Sequence, residues 1–183
     1  MSPFRRSLID SHIEKLKFTV KDPVRHGELR SLFAQSRFTD MAKLVRDSLN
    51  LNMRLRVGLV NSGGPDAPAW IQRPVPMPSF GTHAFRETVV TMFLRKSFLV
   101  GHAFEAIVCA MAHEQAHIVL FCTNHSLQDS EEAVDLTAMM LGYRDFYRLS
   151  SRTEITGDYI REKNYGYLSP EEVTYAANIM STM

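Results

Sequence analysis

The stretch from Ala106 to Phe121 is apolar except at His113, Glu114, Gln115 and His117. Taken as a helix from about Ala103 to Phe121, it is apolar almost all round, and such a helix has to be enclosed by other elements. It predicts a chain folded around one central, buried helix. It does not predict a membrane span, because four polar residues interrupt the run. Two imidazoles and a carboxylate inside an enclosed helix are costly unless something satisfies them.

The spacing of those groups suggests what does. His113-Glu114-Gln115-Ala116-His117 is an H-E-x-x-H sequence. Residues four apart lie one turn apart on one helix face, so both imidazoles can reach a single ion. Glu114 beside them can take a proton from a water held by that ion. The competing reading is a pair of hydrogen-bonded core histidines with an incidental glutamate.

The surrounding pattern is α+β. Residues 7–18, 26–36 and 40–49 read as helices, the last with Thr39 as its cap. Met53 to Leu59 alternates apolar and polar residues as a half-buried strand does, and Thr88 to Phe98 is rich in β-branched and aromatic residues. Between them, residues 61–82 hold five of the eight prolines and read as a long irregular segment, either functional or a surface excursion held by Trp70. After a turn at 123–128, Asp129 and Glu132 suggest a capping box for a helix to about Leu141, with Gly142 as its stop. Residues 143–168 show no clean period. Ser169-Pro170-Glu171-Glu172 is a strong helix start for residues 170–181. The expectation is a single domain over 1–183, helical over 1–50, with the strands and the site helices over 51–183.

Catalytic zinc takes three protein ligands and keeps one position open. The third ligand is sought in Glu131-Glu132-Ala133-Val134-Asp135. If the two helices form an antiparallel hairpin, the register that sets His117 opposite Glu131 also sets His113 opposite Asp135. Glu131 then completes the site, with Glu132 the next choice, and Asp135 fixes the tautomer of a ligand histidine, most simply His113. Each acid has a structural alternative: a helix-start charge for Glu131, a cap for Glu132, a surface carboxylate for Asp135.

HEQAH followed by EEAVD resembles the gluzincin group of zinc metallopeptidases, whose pattern is H-E-x-x-H and then E-x-x-x-D on the next helix. The resemblance covers about residues 87–141 and points to a minimal, soluble bacterial form. It implies a zincin-like fold, with a small, mostly antiparallel sheet packed with helices. It implies zinc on His113, His117 and Glu131, Glu114 as general base, Asp135 behind the ligands, and a peptide or protein substrate paired along an edge strand, here the strand near 88–96. The metzincin pattern does not fit, since its glycine and third histidine would fall on Leu120 and Thr123. Cys109 and His125 are weaker site candidates. Tyr143, Tyr147, Tyr159, Tyr165 and Arg144 are open choices for stabilising an oxyanion.

Charge and cysteines narrow the class further. Lys and Arg total 21 against 20 Asp and Glu, so nothing favours nucleic acid or an anionic membrane as partner. Cys109 and Cys122 would lie about 20 Å apart on one helix, too far for a disulfide. Free buried thiols suit a reducing, cytoplasmic setting. The expectation is a zinc-dependent hydrolase that cleaves peptide bonds. The alternative is a non-catalytic zinc-binding regulatory or partner-binding protein on a peptidase-like scaffold.

Overall fold

Ser2 opens the first helix, α1 (Pro3–Leu16): its hydroxyl accepts the Arg5 N–H, and Pro3 occupies the first turn. The computed structural model describes residues 1–24, 26–156, 159–163 and 166–183. α2 (His26–Ala34) and α3 (Phe38–Ser48) follow. Arg37 stands at the start of α3 without a side-chain cap, so Thr39 lies inside the helix rather than capping it.

Then come β1 (Arg54–Val60), β2 (Ala69–Gln72), α4 (His83–Glu87), β3 (Val89–Arg95) and α5 (Lys96–Gly101). The sheet order is β1-β3-β2. β1 runs parallel to β3, from Arg54 opposite Val89 to Val60 opposite Arg95. β2 runs antiparallel to β3, with Ala69 opposite Leu94 and Gln72 opposite Thr91. The sheet is therefore mixed, not mostly antiparallel. The connection between β1 and β3 is long enough for a parallel crossover, and β2 forms within it. β3 is central, so it cannot be the edge strand expected near 88–96; β2 takes that place. The apolar run through Phe98 also divides, with the strand ending at Arg95 and α5 beginning at Lys96.

Val90, Met92 and Leu94 on β3 are fully buried on the helix side, while Val89, Thr91, Phe93 and Arg95 are half-buried. On the other face Trp70 stacks on Phe93, with ring centres 5.2 Å apart. Gly58 is opposite Phe93, and a Cβ there would come within 2.7 Å of that ring, so the stack needs a glycine.

α6 (Phe104–Cys122) is the central buried helix. Its Gln115 is satisfied by the Ala42 carbonyl of α3 at 2.9 Å. Cys109 and Cys122 are free and buried. Ser130, not Asp129, caps α7 (Glu131–Ala138) by accepting the Ala133 N–H. Past Ala138 the chain takes a wider helical turn through Met139–Tyr143 and corners at Gly142, where φ is 108°. A Cβ on Gly142 would lie 2.8 Å from the Asp22 carbonyl. Gly142 is thus a kink and not a stop, because helix resumes as α8 (Arg144–Ser150). The hairpin β4 (Arg152–Thr156) and β5 (Tyr159–Lys163) forms a separate two-stranded sheet. α9 (Pro170–Met180) carries the full capping box, Ser169 and Glu172 bonding reciprocally. Among the described residues no helix is long and apolar enough to cross a membrane.

Candidate metal centre

α6 and α7 pack antiparallel in the register predicted from sequence. His113 and His117, one turn apart on α6, meet Glu131 and Asp135 on α7. Glu131 Oε2 lies 3.1 Å from His113 Nε2 and 3.3 Å from His117 Nε2. The three donor atoms all fall within 4.8 Å of one another. Four ligands at 2.0–2.1 Å around a tetrahedral zinc stand about 3.3–3.4 Å apart, so the two distances to Glu131 match edges of such a tetrahedron. This donor set could hold a metal ion: two imidazole nitrogens and a carboxylate oxygen lie close together, and one side is left to a cleft.

Glu132 is turned the other way. Its carboxylate lies 3.4 Å from the Arg5 guanidinium. Adjacent residues on a helix point about 100° apart, so only one of the two acids can face α6, and that one is Glu131.

Asp135 is fully buried and saturated with donors. Its Oδ1 accepts from His113 Nδ1 at 2.8 Å and from the Tyr147 hydroxyl at 2.9 Å. Its Oδ2 accepts the backbone N–H groups of Tyr167 at 2.6 Å and Leu168 at 3.3 Å. Anchored through Nδ1, the His113 ring presents Nε2 to Glu131, which is the orientation a metal ligand needs. His117 is held differently. Its Nδ1 is buried with no hydrogen-bond partner among the described residues, and its ring stacks on Phe121 with centres 5.9 Å apart.

The charges follow from these contacts. Burial opposes the charged form of His113, but the hydrogen bonds to Asp135 and Glu131 outweigh it and pull its pKa up to about 10. Burial, helped by the charge on His113, pushes His117 down to about 4. The hydrogen bond from His113 holds Glu131 below the usual carboxylate range. Burial lifts Glu114 to about 7, with the Ile71 backbone N–H pulling the other way.

A cleft runs between α6 and the segment that leads into β2. Beside His113 and Glu114 it forms a pocket of about 250 Å³ walled by Pro68, Phe98 and Ala110. Beside His117 and Glu131 it continues as a second pocket of about 350 Å³ that reaches Trp70, Arg73 and Phe121. Glu114 and Tyr167 line both.

The weaker sequence candidates lie elsewhere. Cys109 contacts the Ser150 hydroxyl at 3.3 Å, and burial pushes its thiol pKa up. His125 bonds the Lys15 carbonyl and the Leu127 N–H in its turn. Tyr143 bonds Ser48, and Arg144 bonds the Lys21 carbonyl. Tyr147 supports Asp135 rather than facing the cleft. Tyr159 begins β5, and Tyr165 lies outside the described residues.

Four features were not visible in the sequence: β2, Arg73, and the Gly166-Tyr167 pair. Trp70 and Ile71 between Pro68 and Pro74 are the only strand signal, too short to stand out. Tyr167 lies over His113, ring centres 5.6 Å apart. Gly166 packs so closely on Asp135 that a Cβ would sit 2.6 Å from Oδ2. Both contacts span some 30 residues or more of chain, and no local pattern announces them.

Comparison of the chain with protein-family models, with curated proteins and with solved structures gave no match. The likeness to the gluzincins therefore rests on HEQAH, on EEAVD and on the cluster these residues form.

Proposed function

We propose that this chain is a zinc-dependent peptidase of the gluzincin type, with His113, His117 and Glu131 as metal ligands and Glu114 as general base. The observation that carries this reading is the approach of donor atoms of His113, His117 and Glu131 to within 4.8 Å of one another, with Glu114 lining the same pocket. Zinc held there would polarise a carbonyl and acidify a water.

The protein's own groups account for the rest. Asp135 keeps the His113 ring in the ligand orientation. Glu114, lifted to about 7 by burial, is suited to accept the proton of the attacking water and to pass it to the leaving amine. β2 supplies a rail for substrate. Pro68 gives its carbonyl to the Arg95 N–H of β3, so by strand alternation Trp70 also faces β3 while the backbone groups of Ala69 and Ile71 face away. Ala69 and Ile71 line the same pocket as His113, Glu114 and Glu131, which sets the outward edge of β2 beside the site. An extended peptide added along this edge would lie across the metal ligands. Pro65 and Ala67 border the cleft without filling it, which favours an enzyme over a closed scaffold.

The test is hydrolysis of a defined peptide library by zinc-loaded wild type and zinc-loaded Glu114→Gln. We expect cleavage by the wild type and a loss of about 10²–10⁴-fold in the variant at equal zinc content. Full activity in the variant would overturn the assignment of Glu114.

A further inference from the structure

Arg73 lies just beyond the end of β2 and is half-buried. Its guanidinium carbon sits 3.4 Å over the centre of the Phe121 ring, and Phe121 stacks on His117. A column of three side chains therefore fixes the cation relative to a metal ligand. One guanidinium nitrogen donates to the Pro74 carbonyl at 3.1 Å. Asp129 acts on it only at longer range, and no carboxylate among the described residues comes within the 4.0 Å of an ion pair. Burial lowers its pKa, the signature of a cation that has lost part of its hydration. Arg95, by contrast, is committed to the carbonyls of Ala67 and Pro65.

Arg73 also stands where two hollows meet. It lines the pocket that contains His117 and Glu131, and it lines a further groove of about 530 Å³ bounded by Val75, Met77 and Gln128. A guanidinium has five N–H donors in a planar fork that matches a carboxylate. Here the fork is held by an aromatic face, partly dehydrated, and without an ion-pair partner among the described residues. Those are the conditions in which an arriving anion gains most.

We infer that Arg73 selects the substrate of this cleft, and that the peptide it takes carries a carboxylate close to the scissile bond. The carboxylate is either an Asp or Glu side chain or the peptide's free C-terminus. The separations in the stacked column place it within about three residues of the metal ligands, at roughly 3.3–3.6 Å per extended residue. The inference rests on the peptidase reading and names its substrate class.

The test uses full-length, zinc-loaded Glu114→Gln protein and fluorescein-labelled alanine-leucine heptapeptides, followed by anisotropy. One set carries Glu at each position in turn against Gln at the same position, with the C-terminus amidated. A second set has no acidic side chain and either a free or an amidated C-terminus. We expect about tenfold tighter binding of one acidic form than of its amide counterpart. The set that shows it identifies the source of the carboxylate. Adding Arg73→Gln should abolish the difference, and adding Arg73→Glu should turn the preference toward Lys-containing peptides. That gain cannot come from misfolding, and zinc content confirms that each variant keeps its site. Equal binding of acidic and amide forms overturns the role of Arg73 and leaves the peptidase reading standing. No binding of any peptide overturns both.

Discussion

Asp135 Oδ1 lies 2.8 Å from His113 Nδ1, on the side of the ring opposite Glu131. One buried carboxylate thus aims the ring of one candidate metal ligand at the carboxylate of another. Its second oxygen is taken by the N–H groups of Tyr167 and Leu168, so the chain just before α9 is tied to the same group. Asp135→Asn would keep the size of the side chain but turn an amide NH₂ toward either His113 or those backbone donors. We predict a loss of about 10–100-fold in zinc affinity, measured by competition with a chromophoric chelator, with the fold retained.

Gly166→Ala tests the same anchor from the other side. A Cβ at residue 166 would come within 2.6 Å of Asp135 Oδ2 and 3.0 Å of its Cγ. Something has to move, and Asp135 cannot move without moving His113. We predict about 1–3 kcal/mol lost from stability in denaturant titration, together with weaker zinc binding. A variant with unchanged zinc affinity would show that the strand of chain at 166–168 gives way instead.

The pH dependence follows from His113. Without metal the His113 ring stays protonated on both nitrogens up to a pKa of about 10, one N–H directed to Asp135 and the other to Glu131. Zinc held there would displace the Nε2 proton, so we predict that below pH 10 each binding event releases about one proton from this ring and that affinity rises about tenfold per pH unit. For the metal-free protein we predict the opposite trend in the His113 contribution to stability. The folded pKa lies above the ordinary histidine value of 6.5, so this contribution is complete below about pH 6.5 and is lost as pH rises through 10. Calorimetry in buffers of different ionisation enthalpy measures the first effect, and thermal unfolding of chelated protein between pH 6 and 10 measures the second.

How much of this was legible in the sequence depends on the range of the contacts. His113, Glu114, His117, Glu131 and Asp135 could be placed because helix periodicity and one short turn determine which of them face each other. The hairpin register favoured Glu131 over Glu132. The structure separates them by Arg5, which comes from the far end of the chain and bonds Glu132. The strand β2 was hidden because four residues between prolines carry too little alternation to show, and its partner β3 was consequently taken for an edge. α8 was hidden for a different reason. It is short, it follows the corner at Gly142, and its inward residues Phe146, Tyr147 and Ser150 span barely one turn. Tyr147, Gly166, Tyr167 and Arg73 gain their places only through tertiary packing.

The central claim is that His113, His117 and Glu131 hold zinc. The most direct measurement is elemental analysis of untagged protein purified without chelator, beside Glu131→Ala and Glu132→Ala. We predict close to one zinc per chain in the wild type and in Glu132→Ala, with zinc lost or strongly weakened in Glu131→Ala. A folded, metal-free wild type that takes up no added zinc would contradict it, and the peptidase reading would fall with it.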